Sequence, residues 1–315
     1  MKKLLALLLG TMSIFAWAQE KITIYTLRGP SGVGMVQFID KPPKIDGYTI
    51  AVDALADSQL MAARLISGEA KIGMLPPNVA AKIAASGLPL QVLAIMGEGM
   101  LSLLSSDPAI NTLADLRGQT ISVAGQGAVP EYVLRKVLIE NKIDPKKDVK
   151  LDFALAYPEI AASLIAGRIK TALLPQPFAT MAMQGSQNIR KIGDIQESWS
   201  KITGAGNYPM TVLVANSNYV FDHRDVIEKI SKSIEESIKF VKKNPAKAGA
   251  LVEKYGLGVK AAVVKASVPV SAYTYIEGIK AKPELVELFK IFLEFDPASI
   301  GGSLPKEIFY YDFKK

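Results

Sequence analysis

The 315-residue chain contains no cysteine and one histidine. The missing thiols exclude disulfides, thiolate zinc sites, cysteine-held iron–sulfur clusters and a cysteine nucleophile. They also exclude a lipid anchor carried on cysteine. A lone histidine removes His-clustered metal sites and most Ser-His-Asp arrangements. That residue, His223, sits in Phe221-Asp222-His223-Arg224-Asp225, which reads as a polar surface turn. After residue 18 no apolar run approaches the ~20 residues needed to span a bilayer. Low hydropathy is absent too: 49% of positions are hydrophobic and 21% charged, so disorder is not indicated.

What is present starts with a targeting segment. Lys2 and Lys3 form a positive start, Leu4 to Trp17 an apolar stretch, and Ala16-Trp17-Ala18 a small-residue cleavage site. The pattern predicts a signal peptide over 1–18, cleaved after Ala18, and an exported protein without a membrane anchor. Removing Lys2 and Lys3 lowers the formal charge from +7 to +5. The remaining lysines, such as Lys142, Lys146, Lys147 and Lys150, are interspersed with acidic residues. They read as solvated helix faces, not as a nucleic-acid surface.

Beyond residue 18, strand-like and helix-like segments alternate, which argues for α/β architecture with mostly parallel sheets. Lys21–Thr26 leads into the glycine turn Gly29-Pro30-Ser31-Gly32-Val33-Gly34. Strands at Tyr48–Val52, Ile72–Leu75 and Leu90–Ile95 follow, with helices around Gln59–Ile66 and from Asn78. The chain then repeats itself. Residues 61–80 align without gaps on 160–179, an offset of 99, with Gly68/Gly167 and Pro76/Pro175 in register. At nearly the same offset Gly29 finds a partner in Gly125-Gln126-Gly127-Ala128. Two copies are too few for a solenoid and suit two facing lobes.

The chain is expected to cross between lobes at Leu101–Ser106 and to return near Tyr208–Ala215. That gives a first lobe of 19–104 plus 210–315 and a second of 105–209. Asp222 or Asp225 is expected to cap a long amphipathic helix reaching about Lys243. A last helix is expected near Glu284–Phe295.

Each glycine turn follows a strand and opens a helix, so its backbone N–H groups and helix dipole face the space beyond the strand ends. The spacing Gly-x-x-Gly-x-Gly is neither a phosphate-binding P-loop nor the dinucleotide fingerprint. Leu75-Pro76-Pro77-Asn78 and Leu174-Pro175-Gln176-Pro177-Phe178 occupy the other strand ends, where α/β sheets hold ligands. Asn78 and Gln176 can hydrogen-bond a ligand or simply organise their turns. Tyr157, Phe178 and Tyr208 can flank a ligand or serve packing alone. These loops carry no paired carboxylates and no base beside a serine, so the residues support binding and offer no catalysis, metal or cofactor.

Leu27-Arg-Gly-Pro-Ser-Gly32, Leu113-Ala-Asp-Leu-Arg-Gly-Gln-Thr-Ile-Ser-Val123, Ala172-Leu-Leu-Pro-Gln-Pro-Phe-Ala179 and Phe240-Val-Lys-Lys-Asn-Pro-Ala-Lys-Ala248, together with the signal peptide, carry a resemblance. The chain resembles the periplasmic substrate-binding proteins of ABC transporters, of the group serving nitrate, sulfonates such as taurine, bicarbonate and thiamine-pyrimidine precursors. The resemblance implies a two-lobe, type II Venus-flytrap fold with two crossing hinge strands. It further implies a monomer in the periplasm of a two-membrane cell that closes on a small molecule and docks on a permease with its ATPase. Carried onto this chain, it places ligand contacts at Gly29, Pro30, Ser31, Gly32 and Asn78 in one lobe. In the other lobe it places them at Gly125, Gln126, Gly127, Ala128 and Gln176, with Tyr208 near the return crossing. Glycine turns and the lack of loop acids favour a small anion, with Arg28 as its cationic partner. A pyrimidine precursor, an exported enzyme and a sensor on the same fold are the alternatives.

Overall fold

The computed structural model describes residues 19–55, 58–204 and 206–314. The expected signal peptide and its cleavage site lie outside the described residues. The chain runs β1 (Glu20–Leu27), α1 (Pro30–Gly34), α2 (Val36–Asp40), β2 (Tyr48–Leu55), α3 (Ser58–Ile66), β3 (Ile72–Leu75), α4 (Pro77–Ala85) and β4 (Leu90–Glu98). It continues with β5 (Leu101–Ser105), β6 (Thr120–Val123), α5 (Val129–Glu140), β7 (Lys150–Asp152), α6 (Tyr157–Ile165), β8 (Thr171–Pro175), α7 (Phe178–Gly185), β9 (Arg190–Asp194) and α8 (Ile195–Thr203). The last part holds β10 (Pro209–Asn216), α9 (Ser217–Asp222), α10 (Arg224–Lys243), α11 (Pro245–Lys254), α12 (Ala261–Ser267), β11 (Tyr273–Glu277) and α13 (Gly278–Phe295).

Two mixed sheets result, with strand orders β11-β4-β10-β3-β1-β2 and β7-β6-β8-β5-β9. Five strands of the first match the whole of the second. β1 pairs in parallel with β2 and β3, as β6 does with β7 and β8. β10 lies antiparallel between β3 and β4, as β5 does between β8 and β9. The repeated segments therefore fall in separate sheets at equivalent places. β3 and β8 are buried along their whole length, as strands covered by helices on both faces must be. Gly68 and Gly167, at φ 78° and 71°, turn the chain out of the helix before each of them, a left-handed conformation that glycine adopts without steric cost.

The sheets are not mostly parallel as expected, with four parallel and five antiparallel pairings, because β4, β5, β9, β10 and β11 run against their neighbours. Three further expectations need correction. Leu101–Ser105 is not a crossing segment but β5, all five residues buried inside the second sheet. The step from the first sheet to the second therefore falls at Gly99-Met100, and the expected return segment up to Ala215 is likewise an interior strand, β10. Ser105 is satisfied internally, its hydroxyl donating to the Lys170 carbonyl at 3.1 Å. Second, α10 starts at Arg224 with His223 as N-cap and no side-chain cap from Asp222 or Asp225. Asp225 lies in its first turn, where a carboxylate still favours the helix dipole. His223 itself is half-buried, stacked on Tyr219 at 4.1 Å, with Nδ1 3.0 Å from the Tyr219 carbonyl oxygen. Third, α13 begins at Gly278, not near Glu284. Pro283 lies inside it, and burial of Gly278, Ala281 and Leu285 outweighs the hydrogen bond the proline removes.

Candidate functional site

A cavity of about 390 Å³ lies between the two sheets. Its walls come from the carboxyl ends of the equivalent strands: Leu27 and Arg28 after β1, Pro76 after β3, Ala124 and Gly125 after β6, and Pro175 of β8. Four helices start at it, contributing Pro30 and Ser31 of α1, Ser58 of α3, Ala128 to Pro130 at α5, and Ala156 and Tyr157 at α6. The floor is Met96, Gly97, Met100, Met210 and Thr211 around the crossings, with Phe153, Leu155 and Tyr273 alongside.

The electrostatic character follows from that list. Among the described residues, Arg28 is the one charged side chain that lines the cavity, and no described carboxylate joins it. Helix starts add partial positive charge. Burial pushes the Tyr157 and Tyr273 phenols well above their ordinary range, so both stay neutral. Tyr157 stacks on Phe178 with ring centroids 5.9 Å apart and planes 18° from parallel. The described surroundings are thus largely apolar, with Arg28, itself exposed, as their cation.

Of the residues singled out in the sequence, the fold brings Arg28, Pro30, Ser31, Gly125, Ala128 and Tyr157 to the cavity, with Pro76 and Pro175 of the strand-end loops. Gly29, Gly32, Asn78, Gln126, Gly127, Gln176, Phe178 and Tyr208 do not line it. Gly29 (φ 104°) seats the Phe178 ring of the other lobe, which lies 3.2 Å from where a Cβ would stand. Gly32 is buried within α1, where a Cβ would press on the Leu27 carbonyl at 2.9 Å. Gln126 is exposed to solvent. The Gly127 amide donates to the Glu131 carboxylate at 2.7 Å and so is already taken. Asn78 is buried, and its Nδ2 donates to the Gly127 carbonyl at 2.7 Å. Gln176 uses Oε1 to accept from the amide and hydroxyl of Thr180 at 3.1 and 2.6 Å, tying down the start of α7. Tyr208 is fully buried against Trp199, ring centroids 5.3 Å apart.

Sequence reasoning missed the methionines at the crossings, the loop Phe153–Ala156, Ser58 and Tyr273. Part of this was recoverable. Extending the 99-residue register from the repeat pairs Ser58 with Tyr157, the opening residues of α3 and α6, and both line the cavity. The methionines carry no motif, and only strand pairing places them.

Among the described residues no group of three or more His, Asp or Glu side chains is placed to hold a metal, and no helix is long and apolar enough to cross a membrane. A family model described as NMT1/THI5 like matches residues 46–248. The protein called "Putative binding protein YtlA" of Bacillus subtilis is 28% identical over 132 residues, covering 42% of this chain and 37% of its own length. The chain thus matches little more than a third of that relative. The crystal structure of an ABC transporter from Parabacteroides distasonis superposes with a TM-score of 0.79 at 23% identity, covering 92% of this chain and 98% of the other. The periplasmic aliphatic sulphonate binding protein SsuA of Escherichia coli gives 0.74 at 17% identity, covering 93% and 92%. Both share the two-sheet architecture described above.

Proposed function

We propose, on the premise that this chain belongs to the NMT1/THI5-like family, that it is the exported solute-binding component of an ABC importer. It captures a small organic anion of the sulfonate or carboxylate kind between its lobes and hands it to a membrane permease and its ATPase. The carrying observation is the cavity itself: among the described lining residues are Arg28, several helix starts and the apolar Met96, Met100 and Met210, and no carboxylate. A head group of negative charge suits the first part and a hydrocarbon body the second, because burying that body against the methionines removes apolar surface from water. The names of the similar structures, an ABC transporter and a sulphonate binding protein, support the reading.

The floor disfavours a bare inorganic anion such as nitrate, which has no apolar part to bury. It equally disfavours a pyrimidine precursor, whose ring amine calls for an acidic partner. No lining side chain forms a nucleophile–base pair, which favours a binder over an enzyme on this fold. The residues before Gln19 support export to the periplasm, and intact-mass measurement of secreted protein starting at Gln19 checks it.

The test is calorimetric titration of the purified protein with butanesulfonate, butanoate, nitrate and an aminomethylpyrimidine. Butanesulfonate or butanoate binding that falls at least about tenfold in Arg28→Gln supports the reading, since a charge-assisted hydrogen bond contributes about 1.5–3 kcal/mol. Binding of the pyrimidine alone, or anion binding indifferent to Arg28→Gln, overturns it.

A further inference from the structure

The lobes touch each other directly, outside the cavity lining, along the first two turns of α5. Asn78, in the first turn of α4, donates from Nδ2 to the Gly127 carbonyl at 2.7 Å. Gly127 is itself held from behind. Its amide donates to Glu131 at 2.7 Å, and the other Glu131 oxygen accepts from Arg135 Nε at 2.7 Å. The carbonyl facing Asn78 is thus fixed by a buried, paired carboxylate.

A second set of contacts lies on the same helix. Tyr132 donates its hydroxyl to Asp296 at 3.1 Å, and its ring packs 4.7 Å from that of Phe292. One turn on, Lys136 Nζ lies 3.2 and 3.1 Å from the two oxygens of Glu294. Phe292 and Glu294 belong to α13, which packs on β4, β10 and β11 of the first sheet, whereas α5 follows β6 of the second. Tyr132 and Phe292 are both buried, whereas Glu294 is exposed. None of these bonds passes through a ligand.

We propose that α5 is a latch: its contacts with Asn78 and with the end of α13 hold the lobes together in the absence of ligand, and Asn78 is a positioning residue for closure. The proposal rests on the reading that the inter-lobe cavity is the binding site. A ligand that binds only the closed form gains apparent affinity in proportion to the closed fraction already present. Breaking the latch therefore weakens binding without altering any residue of the cavity wall.

The experiment uses the absence of native cysteine. Spin labels are placed through Lys265→Cys in α12 and Lys170→Cys just before β8, both exposed. Distance distributions are then recorded with no ligand present, so the outcome does not depend on which molecule the cavity takes. The parent is expected to show a predominant short, closed population. Tyr132→Phe combined with Lys136→Gln, which keeps the ring and the helix, is expected to lower the closed-to-open ratio at least about fivefold, the scale set by losing one or two hydrogen bonds. Asn78→Ala is expected to do the same, with melting curves confirming that each variant is folded. In both variants, butanesulfonate affinity falls by the same factor as the closed fraction. A ligand-free parent that is wholly open, or folded variants with the parent's distance distribution, overturns the latch while leaving the binding reading intact.

Discussion

The Gly99 amide donates to the Tyr208 carbonyl oxygen at 2.8 Å, so the two segments that carry the chain between lobes are hydrogen-bonded to each other. Tyr208 also packs its ring where any Gly99 side chain would go, at 2.6 Å from a Cβ built there, and Asn207 Oδ1 crowds the same point. The hinge region is therefore a paired, close-packed ribbon, and Gly99 is required for its closeness rather than for an unusual φ.

Gly99→Ala is expected to lower stability by about 1–3 kcal/mol, the usual cost of forcing a methyl into a packed site. Thermal melting measures it. A melting temperature equal to the parent's means that Tyr208 yields without cost.

Glu98 ends β4 beside this ribbon. Burial first, and then the neighbouring Glu284 carboxyl, push its pKa from 4.5 up to about 7, against the opposing pull of Lys242. A carboxyl that is harder to ionise when folded binds its proton more tightly in the native state. Stability is then greatest below the unfolded value near 4.5 and is lost as pH rises through about 7. Denaturant melts from pH 4.5 to 8.5 are expected to show that decline, and Glu98→Gln is expected to flatten it. An unchanged slope in the variant assigns the titration to another group.

Gln176 is a structural residue in this fold. Gln176→Ala removes the acceptor for the Thr180 amide and hydroxyl, and is expected to cost about 1–3 kcal/mol because buried donors are left unpaired. Butanesulfonate affinity in calorimetry is expected to stay within about twofold of the parent. A large affinity loss with no change in melting returns Gln176 to the ligand site.

Gly125 lines the cavity with φ 79°, a left-handed conformation. Gly125→Ala is expected to destabilise by about 1–2 kcal/mol through that backbone strain alone, since the nearest atom to a Cβ there, Ala128 Cβ, lies at an ordinary 3.5 Å. The loop also loses shape at the cavity, so affinity falls with stability. A variant as stable as the parent means that the turn refolds around alanine.

Much of the architecture was legible because it rests on local and periodic signals. Alternating strand and helix patterns, glycines that close helices, and the 99-residue repeat identify the α/β units and their pairing into two lobes before any contact is known. The strand ends and helix starts that surround the cavity follow from the same units, which is why Arg28, Ser31 and Gly125 were within reach. Tertiary structure alone decided the rest. Leu101–Ser105 became an interior strand because two neighbours cover it, and α13 runs through Pro283 because its buried face pays back the missing bond. Asn78, Gln176 and Gly127 are polar residues at strand ends, and sequence shows only that they can hydrogen-bond. Which partner each takes depends on atoms about 50 positions away or one turn along, and folding gave those bonds to other protein groups. The methionine floor has no local signature at all, since it forms only where two distant crossings are brought side by side.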